Sequence, residues 1–132
     1  MYYNINVIYD CTPAKLHPYI PLMMEYCDKY NVNPYFIASI FKFETEKHPI
    51  LIEYKNLGNV KSEDSEFMLP IRYDSIETSM EYYIRLMHYN INQNEIFTPE
   101  DINKLLRPLE PEWADRVYEY TVEMYKKSGY RI

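Results

Sequence analysis

Glu44 has the right type for acid chemistry and the wrong place for an ordinary surface glutamate. It lies seven residues after Ile37, with Ile40 and Phe41 at i+3 and i+4, and so falls on the stripe that a helix turns toward its core. Desolvation at the margin of an apolar core disfavours the charged form of a carboxyl, and a carboxyl tuned this way can donate a proton near neutral pH. Glu46, about 200° further around the helix, has an ordinary solvent-facing position. The competing reading leaves Glu44 in a frayed last turn, reaching water or pairing with Lys47 or His48. His48 is also four residues from Glu44, the spacing of a two-ligand metal edge, but His17 and His88 show no matching spacing, so no metal site is assigned. No Ser or Cys has a base beside it in sequence to make it a nucleophile.

The elements that must position these groups are mostly helices. Asn33-Pro34 supplies an N-cap followed by proline at the first helical position, and Pro49 stops the run, which predicts a helix from Pro34 to about Lys47. An earlier helix spans Pro18 to about Tyr30 through Ile20, Met23, Met24 and Cys27, with Pro21 in its first turn; the first dozen residues receive no assignment. From Ile50 to Tyr73 the punctuation Asn56, Gly58, Asn59, Ser62, Asp64, Ser65 and Pro70 reads as an irregular lobe. Within it, Phe67, Leu69 and Ile71 alternate as in a short strand or hairpin, with Pro70 arguing for an edge. Asp74 followed by Glu77 resembles a capping box before the stripe Ile76, Met80, Tyr83, Ile84 and Met87. Thr98-Pro99 opens a shorter helix closed by Pro108 and Pro111. Trp113, Val117, Tyr120, Thr121 and Met124 mark a last one, with Lys126 and Lys127 at its carboxyl end and Gly129 as its cap. The fold class is mainly α with one small extended lobe, and residues 1–132 form a single domain without repeats or a Gly/Ser linker.

Composition removes several function classes. The 14 Lys and Arg stand against 20 Asp and Glu, and a net charge of -6 argues against a partner bound through nucleic-acid phosphates. With only two glycines, neither a dinucleotide fingerprint nor a phosphate-cradling loop can be built. No apolar run approaches the roughly 18 residues of a membrane span. The amino terminus lacks a basic region followed by an apolar one, so the expectation is a product made in the cytoplasm without a signal peptide. Cys11 and Cys27 read as small buried thiols rather than a disulfide. Sixteen tyrosines would suit sugar rings, although the accompanying Asn, Ile and Lys bias is equally what base composition produces.

The order of three signals resembles the peptidoglycan N-acetylglucosaminidase family of the lysozyme-like superfamily. These are a helix ending in Phe43-Glu44-Thr45, then Asn56-Leu57-Gly58-Asn59-Val60-Lys61, then Tyr73-Asp74-Ser75-Ile76-Glu77. Glu44 matches the catalytic glutamate of the family's Glu-Thr/Ser-Gly pattern. Asn56, Leu57, Gly58, Val60 and Lys61 align with an Asn-Asn-Leu-Phe-Gly-Ile-Lys-like segment, Tyr73 matches an active-site tyrosine, and Trp113 with Val117 suits a late Trp-x-x-x-Val pattern. The likeness runs from about Asn33 to Tyr125. Glu46 replaces the family's glycine two residues after the catalytic position.

The resemblance implies a lysozyme-like helical domain with an irregular or β-hairpin lobe, acting as a glycoside hydrolase on β-1,4 bonds of bacterial peptidoglycan glycan strands. Glu44 would be the general acid. Glu63, Asp64 and Glu66 are candidates for a second carboxylate that activates water or stabilises the oxocarbenium ion, and equally fit a solvated turn. Tyr73 would orient the substrate acetamido group or simply pack under the lobe, and Asn56, Gly58 and Asn59 would bind the substrate; no cofactor is implied. Muramidase and lytic transglycosylase specificities stay open, as does a non-catalytic lysozyme-like module that binds glycan or protein in a larger assembly. The setting implied is the bacterial cell wall, reached as a phage lysis or virion component or within a phage or secretion assembly.

Overall fold

Asparagine caps start two of the helices, and the computed structural model shows how each works; it describes residues 3–62, 69–91 and 112–129. Asn4 accepts from the Asn6 N–H to open α1 (Ile5–Cys11), an element to which the sequence pattern gives no assignment. A 3₁₀ segment (Ala14–Tyr19) carrying Pro18 leads into α2 (Ile20–Tyr30), so the regular helix begins two residues later than expected. Asn31 ends α2 in the left-handed conformation, at φ 54°, which asparagine tolerates better than most side chains. The Asn33 side chain then accepts from the Tyr35 and Phe36 N–H groups, with Pro34 at the first helical position, to start α3 (Pro34–Lys47) with the bounds expected.

The lobe after α3 is less irregular than its punctuation suggests, because Ile50–Glu53 closes one helical turn, α4, that buries Leu51. Beyond it, Lys61 and Pro70 form an isolated antiparallel bridge: Ser62 N–H donates to the Leu69 carbonyl (2.8 Å) and Ile71 N–H to the Val60 carbonyl (2.9 Å). No strand occurs among the described residues. The cap of α5 (Ile76–Ile91) is Ser75 rather than Asp74, since the Ser75 hydroxyl accepts from Thr78 N–H at 3.3 Å and donates to Glu77. The cap thus sits one residue later than the sequence pattern predicts. The helix expected from Thr98 lies outside the described residues. In α6 (Trp113–Lys127), Gly129 takes φ 89° just past the carboxyl end, as the cap reading requires.

The helix α3 is the axis of this mainly α fold. Every residue from Pro34 to Phe41 is buried, together with Phe43, Glu44 and Thr45. It packs most extensively against α6 and also against α2, while α1 rests on α6 and α5 on α2. A polar clasp joins α1, α3 and α6 at one end. The buried Tyr35 hydroxyl accepts from Asn4 N–H (2.7 Å) and meets the Ser128 hydroxyl (2.5 Å), which itself donates to the Met124 carbonyl. Both cysteines are buried and free, and burial pushes both thiols up. Among the described residues no helix is long and apolar enough to cross a membrane.

Candidate active site

The last turn of α3 does not fray. The helix continues to Lys47, and Glu44, 5% exposed, turns its carboxyl inward. Asn59 Nδ2 donates to Oε2 at 2.9 Å, and Trp113 Nε1 donates to Oε1 at 2.8 Å. The two donors are uncharged and come from separate directions, one from the loop after α4 and one from the first residue of α6. Burial in general works against the charged form of a carboxyl, and N–H donors to its oxygens favour that form.

Trp113 reaches Glu44 because α3 and α6 are pinned side by side. Glu46 lies on the exposed face, as expected, and accepts from the Tyr120 hydroxyl (3.1 Å); Lys47 pairs with Glu112 just before Trp113. Half-exposed ion pairs of this kind contribute little stability on their own. Here they lie across the α3–α6 seam. Lys15 donates to the Thr45 carbonyl (3.3 Å), a cation placed against the carbonyl end of α3.

The loop side depends on Asn56, which is 1% exposed. Its Nδ2 donates to the carbonyls of Val60 (3.0 Å) and Ile71 (2.8 Å), and its Oδ1 accepts from Val60 N–H (2.8 Å). These bonds cinch the loop to the bridge and hold Asn59 between them. Asn59 sits at φ 58°, is 8% exposed, and leaves Oδ1 buried without a partner. Asn56→Ala should leave the Ile71 carbonyl and the Val60 N–H without these partners, the Val60 carbonyl keeping Ile71 N–H, and destabilise the fold by about 2 kcal/mol, lowering the thermal midpoint by roughly 6 °C; a thermal melt reads it.

Gly58 lies flat against Tyr83 of α5, whose ring occupies the space a β-carbon would need. Burial, and then the Glu44 charge, push the Tyr83 phenol far up, so it stands as a neutral hydroxyl near the acid. Tyr73 takes a different place. Its N–H donates to the Tyr54 carbonyl (2.9 Å), and burial followed by Tyr82 raises its phenol. Tyr82 is on the exposed side of α5.

Of the residues singled out in sequence, the structure brings Glu44 and Asn59 into contact, sets Asn56 and Gly58 as the scaffold beneath them, and ties the Tyr73 backbone to Tyr54. Glu63, Asp64 and Glu66 lie outside the described residues. Two neighbours of the acid are not marked as such by the sequence pattern: Trp113 reads there as part of a helical stripe, and Tyr83 as core. The available signal was the indole N–H, a donor that needs an acceptor once buried, and Glu44 is the acceptor on the facing stripe. Among the described residues no three His, Cys, Asp or Glu side chains come together to hold a metal. Comparisons of the chain with protein-family models, with curated proteins and with solved structures give no match.

Proposed function

We propose that the protein is a peptidoglycan hydrolase of lysozyme-like fold that cleaves β-1,4 bonds of the glycan strand as an endo-N-acetylglucosaminidase, with Glu44 as its general acid. The observation that carries this reading is the carboxyl itself: buried at the end of the central helix and held at both oxygens by the uncharged donors Asn59 and Trp113. In hydrolysis the protonated carboxyl gives its proton to the leaving oxygen as positive charge develops on the sugar ring. A second carboxylate would come from Glu63, Asp64 or Glu66. The ends of that segment, Ser62 and Leu69, are joined by a backbone hydrogen bond next to the loop that carries Asn59. Tyr73 would line the substrate's approach, and Asn56 and Gly58 would serve it indirectly, by fixing the loop. Such an enzyme works at the cell wall, as a phage lysis or virion component or within a larger assembly.

The low exposure of Glu44 favours one second reading, a lysozyme-like scaffold in which the carboxyl is structural and the module binds glycan or protein without cutting. Purified protein incubated with peptidoglycan from several bacteria separates the two. Release of fragments ending in reducing N-acetylglucosamine, identified by mass spectrometry, is the expected result. Reducing N-acetylmuramic acid or anhydro ends would reassign the bond to a muramidase or transglycosylase. Walls left intact by folded protein, while a control enzyme digests them, would move the reading to the binding module.

A further inference from the structure

The two hydrogen bonds to Glu44 differ in what they permit. Indole N–H can only donate, so the oxygen it meets, Oε1, must be an acceptor whether the acid is ionised or neutral. The carbonyl oxygen of a neutral carboxyl is its better acceptor, which favours the carbonyl at Oε1 and the hydroxyl at Oε2, the oxygen that faces Asn59. There the present arrangement is a poor match, because an Oε2–H directed at Asn59 would meet Nδ2–H donor to donor. Yet Asn59 carries the acceptor required, its own Oδ1, buried and unpartnered at the other end of the same carboxamide. A half-turn about the last side-chain torsion exchanges the two ends. Each orientation leaves one end of the amide unpaired, so the turn carries little net cost of its own.

We infer that Asn59 is a positioning residue that follows the proton of Glu44, its Nδ2 donating to the carboxylate and its Oδ1 accepting from the neutral acid, with Trp113 favouring that proton on Oε2. When the acid acts, the proton leaves Oε2 for the leaving-group oxygen, the O–H electron pair stays on Oε2, and the carboxamide turns to donate to the charge. The catalytic meaning rests on the general-acid reading; the test does not need turnover. Among the described residues, Tyr83 on α5 interacts electrostatically with Glu44, and the flanking elements carry Glu112 before α6, Lys15 against the end of α3, and Lys47 and His48 on its last turn. Tyr83 remains neutral throughout, so its hydroxyl does not carry the switch.

Nuclear magnetic resonance of isotopically labelled protein follows the Glu44 carboxyl carbon and the Asn59 side-chain amide protons together from neutral to acid pH. The hydrogen-bonded Asn59 amide proton should be lost with the same midpoint as the Glu44 titration, and Glu44→Gln should hold the turned form at every pH. An amide proton that stays hydrogen-bonded below that midpoint overturns the inference, as does a Glu44 carbon that never titrates before the protein unfolds. Asn59→Gly keeps the left-handed backbone and deletes the amide. Because the charge loses a charge-assisted bond, the Glu44 midpoint should rise, and an unchanged midpoint counts against the inference. Asn59→Asp, which retains an acceptor, should restore a partner for the neutral acid and split the titration into two coupled steps.

Discussion

Glu44→Gln should lose at least about 10³-fold in glycan hydrolysis, the scale of a deleted general acid, while its melting temperature stays within about 2 °C of the parent. The reason for the second half is geometric. Glutamine offers a carbonyl oxygen to the Trp113 indole and an amide to Asn59, and the Asn59 carboxamide can turn its unpaired Oδ1 to meet that amide. The substitution thus mimics the neutral acid without a proton to give. Activity assays on peptidoglycan beside thermal melts check both halves. Hydrolysis retained by a folded Glu44→Gln protein would sink the general-acid reading, and hydrolysis lost together with a large drop in melting temperature would point to a structural carboxylate.

Gly58→Ala should be costlier to the fold than its one added methyl suggests. A β-carbon at Gly58 would lie 2.5 Å from two ring atoms of Tyr83, which is buried and cannot swing away as a flexible chain end would. Overpacking of this kind costs about 3 kcal/mol, a fall of roughly 10 °C in the melting midpoint. Relief requires the loop to lift, and the loop carries Asn59 on its next residue. Any hydrolysis should therefore fall along with stability, and the Glu44 titration should shift as well. A Gly58→Ala protein that melts with the parent would show that the loop does not rest on Tyr83.

What could be read ahead of the structure was local. The bounds of α3 followed from Asn33-Pro34 and Pro49, because capping and proline geometry act within a few residues, and the anomaly of Glu44 followed from periodicity within one helix. The segment α1 was invisible because it is short and buries only Val7, Ile8 and Cys11, and α4 because a single turn offers no period to detect. The site's partners come from far along the chain, Asn59 fifteen residues after Glu44 and Trp113 sixty-nine. No pattern within one helix encodes such a meeting. Tyr73 and Asn56 drew attention through the family resemblance, yet a matched position does not say that Asn56 has its whole carboxamide committed inside the loop.

The grip on Glu44 is uneven. Trp113 belongs to the most extensive helix pairing among the described residues, whereas Asn59 hangs on a loop closed by Asn56 and an isolated bridge. Segments open with free energies set by the contacts they surrender, so the loop is expected to open at lower free energy than the α3–α6 seam. The carboxyl then keeps its orientation through the indole while its Asn59 side opens to bulk water. On the general-acid reading, a leaving-group oxygen would reach Oε2 from the Asn59 side, and the lifting of one short loop would set the pace of its arrival.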